Sequence, residues 1–401
     1  MKKYAACLLL LFIVTSLLTG CWNRRELNEL AIAVGFGLDK SGDNSYQVSV
    51  QVVNPSEVTG GKGGGEAPAT LYTAKGHTVS EAIRRISNTS PRKMYVAQLR
   101  MVLIGEALAE DGVAESLDSL LRDHEMRTDF YLAIVRGATA EEALKIMTPL
   151  QKIPANKLFA SLETSEQTWA PSLTETLNEM VSDLLSKGKH PVLPVLRIIG
   201  DPELGAKKQN VEGINTPTQL KFSGIAVFNY DKVVGFLTED ESKGYNFIRD
   251  NIKTTMDHAK CPSGGKISFE VITSKTKSRG KVIDGQPQIN IDVRVTGNIS
   301  DVECKNLDLL DMQTVNMLEQ LFSERIKTLM ENSIHTVQTK YGSDIFGFGD
   351  TIHRSNPKAW KKLQEDWDQR YFRNLPVNIS VDVSIKRLGT TKDSFLKNLK
   401  E

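Results

Sequence analysis

The hydrophobic pattern of the chain begins with one short apolar run behind two lysines. Lys2 and Lys3 precede residues 5–18, in which only Thr15 and Ser16 interrupt the apolar side chains. The run is about 14 residues long, whereas a helix needs about 20 apolar residues to cross the hydrocarbon core of a bilayer. This combination of charge and length is typical of a secretion signal. We therefore predict that the chain is exported.

The apolar run ends in a short motif that carries a chemical prediction. Leu18-Thr19-Gly20-Cys21 places one aliphatic and two small residues before a thiol, and this order resembles the lipobox of bacterial lipoproteins. Such a site implies cleavage after Gly20, so that residues 1–20 form the signal peptide. It also implies a diacylglyceryl group and an N-acyl group on Cys21. Acyl chains of this kind anchor a protein lastingly to a membrane.

Short β-rich runs alternate with helical patterns in the first half of the mature chain, which favours mixed sheets with packed helices. The predicted strands are residues 31–37, 46–53, 99–104, 130–135 and 192–199. The predicted helices are residues 79–86, 108–121, 140–147 and 173–185.

The second half shows a clearer period of two. In residues 288–299, Ile289, Ile291, Val293 and Val295 alternate with polar side chains, as in a strand with one covered face. Further strands are predicted at residues 220–229, 232–237, 267–276 and 377–385, and helices at 239–252 and 313–339. The predicted fold class is α+β, with mixed or antiparallel sheets, packed helices and two or three domains.

A polar segment rich in turn-forming residues divides the two halves. Residues 200–217 include Gly200, Pro202, Gly205, Gly213 and Pro217, a composition typical of a loop. We predict an N-terminal domain over residues 21–200, a linker over 201–217 and a C-terminal domain over 218–401. The glycine-rich residues 54–68 are predicted to be a loop inside the first domain.

Charge and residue spacing argue against several classes of function. Loss of Lys2 and Lys3 from the 50 basic residues leaves 48 against 49 acidic ones, a balance of −1, so nucleic acid is not an expected partner. The six histidines show no metal-binding spacing, and the glycine run 60–65 lacks the rest of a phosphate loop. We predict no catalytic residues, no metal and no cofactor, although a catalytic triad assembled from distant positions would not be visible at this level.

Two cysteines remain after Cys21 is assigned to lipid. If residues 267–276 and 288–299 form a hairpin that turns near residue 282, Cys261 and Cys304 face each other across its open end. Export permits a disulfide between them. The alternative, two free buried thiols, is equally compatible with the sequence.

Several motifs behind the lipobox resemble the Ger(x)C family of spore-germination lipoproteins. The mature start reads Cys21-Trp22-Asn23-Arg24-Arg25-Glu26-Leu27, with Asn23 where the family usually has an acidic residue. The later matches are Gly105-Glu106-Ala107-Leu108-Ala109 with Gly112, Arg122 to Arg127, Gly224 to Phe228 with Gly235, Asp344 to Gly349, His353, Pro357, Trp360 and Trp367. The likeness covers essentially the whole mature chain.

The resemblance implies a function and a place in the cell. Members of the family are C subunits of nutrient germinant receptors and are not enzymes. They work with two integral membrane partners, the A and B subunits, at the inner membrane of the spore. The lipid on Cys21 would hold this chain on the outer face of that membrane. The resemblance also implies an α+β fold.

Two other classes of function stay open at this level. A lipid-anchored solute-binding protein would need a deep polar cleft between its domains. An exported hydrolase would need a convergent acid, base or nucleophile, which the sequence does not show.

Two segments are candidates for contact with the membrane or with partner subunits. The first includes Trp22, Arg25 and Glu26, which the lipid would hold at the membrane interface, where an amphipathic indole is favoured; the alternative is a tether without specific contacts. The second is the loop 346–353 with Phe346 and Phe348, because glycines and aromatics on a loop can form a recognition surface. Trp360 and Trp367 lie seven residues apart, which favours one helix face and core packing.

Overall fold

The fold was analysed in a computed structural model that describes residues 3–5, 26–42, 44–58, 66–261, 264–304 and 307–387. Cys21, Trp22, Arg25 and the cleavage site therefore lie outside the described residues. Among the residues that are described, no helix combines the length and apolar character of a membrane span.

A nine-stranded mixed sheet forms the larger part of the molecule, in the order β3-β2-β1-β5-β6-β7-β8-β9 with β4 beside β1. The strands are β1 (Leu30–Lys40), β2 (Tyr46–Val53), β3 (Ala69–Gly76), β4 (Lys93–Tyr95), β5 (Met101–Gly105), β6 (Tyr131–Val135), β7 (Val192–Ile199), β8 (Gln219–Asn229) and β9 (Lys232–Leu237). The centre β1-β5-β6-β7 is parallel, and both ends of the sheet are antiparallel.

Helices cover both faces of this sheet, so its central strands are buried on both sides. Every residue of β5 is buried, which explains the continuous apolar run Met101-Val102-Leu103-Ile104, as expected for parallel strands. The helices of this region are α1 (Pro55–Val58), α2 (Val79–Ile86), α3 (Glu106–Asp111), α4 (Ala114–Leu121), α5 (Ala140–Lys145), α6 (Pro154–Thr168), α7 (Leu177–Leu185), α8 (Pro202–Gly205) and α9 (Gln209–Glu212).

A second sheet has the order β10-β11-β12-β13 and carries one long helix. Its strands are β10 (Thr255–Lys260), β11 (Lys266–Ile283), β12 (Gln286–Val302) and β13 (Val377–Arg387). The helices of this half are α10 (Glu239–Ile248), α11 (Met312–Thr336), α12 (Phe348–Ser355) and α13 (Pro357–Leu363). Leu318, Phe322, Ile326 and Leu329 of α11 are buried in the same core as Ile289, Ile291 and Val293 of β12, as the helical period predicted.

The predicted α+β class of mixed sheets with packed helices is confirmed, and several details differ. The hairpin turns at Asp284-Gly285 rather than near residue 282. The helix predicted over residues 108–121 is divided at Gly112, whose φ is +131°; an L side chain is strained there. The elements absent from the prediction include β3, α6 and β10.

The segment between the two predicted domains is packed against the first sheet. Asn210 is fully buried, and its side chain bonds the backbone of Met147 and of Thr218. Strands β7 and β8, on either side of this segment, pair antiparallel. The large sheet thus includes strands from both sides of residues 201–217. The division into two domains stays a prediction, and it does not coincide with a break in this sheet.

Candidate functional site

A buried carboxylate organises the loop that leads into α12. The Asp344 side chain is 0% exposed. Its Oδ1 accepts hydrogen bonds from the backbone N–H groups of Gly347 at 2.9 Å and Phe348 at 3.2 Å. Its Oδ2 accepts one from the backbone N–H of Gly349 at 2.7 Å and one from the indole N–H of Trp367 at 2.9 Å. These backbone donors belong to the start of α12, where the helix itself provides no acceptors. Asp344 therefore caps the helix from inside the core.

Two opposing effects set the charge of this carboxyl. Burial raises the pKa of Asp344 to about 6 because it penalises the charged form, and the nearby Asp368 carboxylate adds to the rise. The hydrogen bonds from Gly349, Trp367 and Phe348 lower the pKa. At pH 7 Asp344 is therefore mainly ionised.

His190 connects this loop to the large sheet. Its backbone N–H donates to the Asp344 carbonyl at 2.8 Å, and its Nδ1 accepts the backbone N–H of Tyr230 at 3.0 Å. An accepting Nδ1 carries no proton, so we assign the proton to Nε2, which donates to Asp368 Oδ2 at 2.7 Å. The Asp344 N–H in turn donates to Asp368 Oδ1 at 3.3 Å. Four segments that are distant in the sequence are thereby held together.

Close backbone packing completes this contact, which we call the Asp344 junction (residues 186–190, 228–230, 343–350, 367 and 368). Ser343 Oγ donates to the Phe228 carbonyl at 2.7 Å, and Ser186 Oγ donates to Asp350 Oδ1 at 3.0 Å. A Cβ on Gly349 would lie 2.7 Å from the Cα of Gly188, closer than real Cβ contacts. Glycine at both positions lets the two backbones touch.

The polar groups of the Asp344 junction hold its segments in position. The His190 ring resembles part of a catalytic dyad because a carboxylate holds one of its nitrogens. However, the other nitrogen is occupied by the Tyr230 N–H, and the Ser343 hydroxyl donates to a carbonyl. Neither group is available to activate a nucleophile in this geometry. In the part of the chain that the structure describes, no three His, Cys, Asp or Glu side chains converge as metal ligands.

The structure corrects one predicted contact surface. Phe346 and Phe348 are 2% and 1% exposed, and their rings stack at 5.1 Å between centroids. They are core residues because Asp344 folds the loop inward, so they present no surface to a partner. Trp360 and Trp367 are also buried, with ring centroids 5.1 Å apart, as the core-packing alternative stated.

Of the N-terminal candidates, only Glu26 lies within the described residues. It is exposed, its N–H donates to Glu29 Oε2 at 3.4 Å, and its carbonyl accepts the Glu29 N–H at 3.0 Å. These bonds form the turn that leads into β1. Trp22, Arg25 and the lipidation site Cys21 lie outside the described residues, and their roles stay predictions.

Cys261 and Cys304 lie together at the end of the hairpin. Their Cα atoms are 5.7 Å apart and the structure joins them as a disulfide, at a separation that suits one. The bond itself remains a prediction. Mass measurement of unreduced protein after thiol alkylation tests it, since a bonded pair takes up no alkylating reagent.

The fold and the Asp344 junction define an α+β protein whose two sheet regions are held together by a buried polar network. Comparison with known proteins identifies two family models that match this chain. Residues 23–198 match the family model "Spore germination protein N-terminal domain", and residues 223–389 match "Spore germination B3/ GerAC like, C-terminal".

Individual relatives match over nearly their whole length. The chain is 31% identical to spore germination protein KC of Bacillus subtilis (strain 168) over 407 residues, covering 100% of this chain and 99% of the relative. It is 24% identical to spore germination protein B3 of the same strain, covering 97% and 99%. The crystal structure of the GerBC protein superposes with a TM-score of 0.52 at 19% identity, covering 92% of this chain and 100% of that one.

This chain therefore belongs to the Ger(x)C family of spore germination proteins, as its motifs suggested. Sequence reasoning found the Asp344 motif but missed His190 and Asp368, which lie 178 residues apart. No local pattern relates two side chains at that separation.

Proposed function

We propose that this chain is the lipid-anchored C subunit of a nutrient germinant receptor and that it works with integral membrane A and B subunits. One observation carries the proposal: both family models match in order along one chain, with 31% identity to spore germination protein KC over its full length. The proposed location is the outer face of the spore inner membrane. The proposed role is placement and assembly rather than catalysis.

The length of the tether supports this role. Leu30, the first residue of β1, lies nine positions after Cys21. A chain spans at most about 3.4 Å per residue, so lipid on Cys21 would keep the start of β1 within about 30 Å of the membrane. Confinement to such a layer raises the effective concentration near membrane partners, so that weak contacts suffice.

Co-purification tests the assignment. The native chain with a C-terminal tag is recovered from detergent-solubilised spore membranes, beside Cys21→Ala and the matched control Cys7→Ala, which changes a cysteine of the signal run and keeps the lipobox. We expect A- and B-type subunits with the native chain and with Cys7→Ala. We expect Cys21→Ala to be lost from the membrane fraction. Absence of both membrane subunits from the native preparation would refute the receptor assignment.

A second comparison separates a simple tether from a specific contact at Trp22 and Arg25. Trp22→Ala and Arg25→Ala are compared with Glu29→Ala at equal amounts of membrane-bound chain. If the segment contacts a partner, the first two variants recover several-fold less A and B subunit than the third. Equal recovery from all three would show that the segment acts as a tether alone.

A further inference from the structure

A polar cleft of about 330 Å³ opens beside the Asp344 junction, between the end of α6, helix α7 and the end of α10. Six charged residues line it: Glu166, Glu175, Glu179, Asp183, Lys189 and Arg249. They come from both halves of the chain, since Arg249 follows α10 in the region of the C-terminal family model. We call this feature the Glu175 cleft.

Glu175 is the unusual member of this set. Its side chain is 8% exposed, and no described residue donates a hydrogen bond to its buried Oε1. The charges that act on its carboxyl belong to Lys189, Asp183, Glu179 and Arg249, all of which line the cleft. Glu175 is one of the residues that line the cleft, and its Oε1 is buried there. Buried polar atoms almost always have a partner, so this one calls for an explanation.

The other charged groups of the cleft already have partners within the protein. Lys189 pairs with Asp183, and Arg249 donates to the Phe346 carbonyl at 2.8 Å. Glu166 accepts the Thr174 hydroxyl at 3.1 Å.

Glu179 is also engaged, because it closes the cap of α7 by accepting the N–H of Thr176 at 2.9 Å. Glu175 Oε1 is thus the buried carboxylate oxygen of the described lining that has no donor among the described residues.

The missing partner is defined by its chemistry. It must donate a hydrogen bond to Glu175 Oε1. It should also carry positive charge, because four carboxyls face two cations among the described lining residues. The described residues contain no cluster suited to a metal ion. A volume of about 330 Å³ is at the lower end of ligand pockets, which range from about 300 to 1,000 Å³, so the ligand is small.

We propose that the Glu175 cleft binds a small organic cation through a primary ammonium group that donates to Glu175 Oε1. This inference does not depend on the receptor assignment. The cleft also adjoins the loop that Asp344 folds. Arg249 donates a hydrogen bond to that loop, and a Cβ on Gly347 would lie 3.5 Å from Lys189 Cδ. A ligand in the cleft lies against groups from both halves of the chain and would stabilise their contact.

Titration calorimetry on the full-length lipoprotein in detergent tests the proposal. The probe is methylammonium chloride, compared at equal ionic strength with sodium chloride and with tetramethylammonium chloride, which has no N–H donor. We expect saturable heat and a rise in Tm with methylammonium and neither with the other two salts. Equal responses to all three salts, or no response to methylammonium, would overturn the proposal.

Matched variants locate the site. Glu175→Gln keeps the size of the side chain but cannot become an anion, so we expect at least tenfold weaker methylammonium binding. Glu212→Gln changes an exposed carboxyl on α9 and should bind like the native chain. Since Glu175→Gln neutralises a buried carboxyl, its fold should persist, and its Tm shows whether it does. Native affinity in Glu175→Gln would overturn the proposal.

The pH profile gives an independent readout. Burial raises the pKa of Glu175 to about 8, so the carboxyl must lose a proton to receive a cation. Native affinity should therefore rise about tenfold or more from pH 6 to pH 9. The other titratable or charged groups at the cleft are Glu166, Glu179, Asp183, Lys189, Tyr245 and Arg249. If one of them caused the rise, Glu175→Gln would show the same profile, which would count against Glu175 as the binding group.

Discussion

Two buried carboxyls, those of Asp344 and Glu175, have opposite surroundings. Asp344 receives hydrogen bonds from four groups and has a pKa of about 6. Glu175 Oε1 receives none from the described residues, and its pKa is about 8. Burial raises both values. The donors around Asp344 offset part of the cost of desolvation, whereas Glu175 Oε1 has no such donor among the described residues.

The difference separates a structural carboxyl from a candidate binding carboxyl. A charge that is fully bonded by the protein rigidifies a loop and has no capacity left for a ligand. A buried carboxyl that lacks a hydrogen-bond donor destabilises the fold, and it can accept a hydrogen bond from a ligand. Substitutions at the two carboxyls and at their neighbours test this distinction.

The largest effect is expected for Asp344→Ala. It leaves three backbone N–H groups and the Trp367 indole N–H buried without their acceptor, which should lower the free energy of unfolding by about 4 kcal/mol. Denaturant unfolding of the full-length chain measures this loss. Asp301→Ala, at an exposed position of β12, is the control and should change stability by less than about 0.5 kcal/mol. Similar losses in both variants would show that Asp344 does not organise the loop.

Glu175→Gln should instead raise the free energy of unfolding above that of the native chain, by an amount that depends on pH. The folded-state pKa of Glu175, about 8, lies above its ordinary value of 4.5. Native stability therefore decreases as pH rises through the window between these values. Glutamine has no such titration, so its stability relative to native should increase by about 3 kcal/mol between pH 6 and pH 9. The same unfolding series with Glu212→Gln should show a constant difference; a constant difference for Glu175→Gln would contradict the raised pKa.

The third prediction concerns the backbone contact at the Asp344 junction. Gly349→Ala puts a methyl group 2.7 Å from the Gly188 Cα, and since two backbones must then separate, we expect a loss of about 2 kcal/mol. Gly213→Ala is the matched control, because its φ is −99° and the nearest atom to a Cβ would lie 3.6 Å away. A loss equal to that of the control would mean that the junction is loosely packed.

Local periodicity explains which elements the sequence predicted well. β2, α2 and β7 were predicted with the bounds the structure gives, because they show an alternation, a helical stripe and a continuous apolar run, respectively. β10 was missed because its buried face contains Thr255 and Asp257, which conceal the apolar period. α6 was missed because its buried stripe includes Pro154 and Ala155 beside only two leucines.

The site was less accessible to sequence reasoning than the fold. The motif around Asp344 was visible, but its aromatics were interpreted as an exposed surface, since nothing local shows that the Asp344 carboxylate turns the loop inward. Glu175 carries no motif at all. Its burial depends on α10 and on Lys189, and only the folded chain brings these groups together.

The smallest effect on stability is expected for Asp368→Asn, which tests how the charge of Asp368 affects the pKa of Asp344. Asp368→Asn removes a neighbouring charge from Asp344 while keeping a side chain that can accept from the Asp344 N–H. Burial is the main cause of the raised pKa of Asp344, and the charge of Asp368 adds to it, so the pKa should fall in the variant.

The loss of stability in Asp368→Asn should be about 1 kcal/mol at pH 7, because the amide has a single oxygen acceptor and its nitrogen cannot accept the His190 Nε2–H. Carbon-detected NMR titration of the Asp344 carboxyl measures the pKa directly. Asp366→Asn, at a neighbouring exposed position, is the control. If the pKa of Asp344 did not change in Asp368→Asn, burial and hydrogen bonds alone would set it, and the two carboxyls would differ only in their donors.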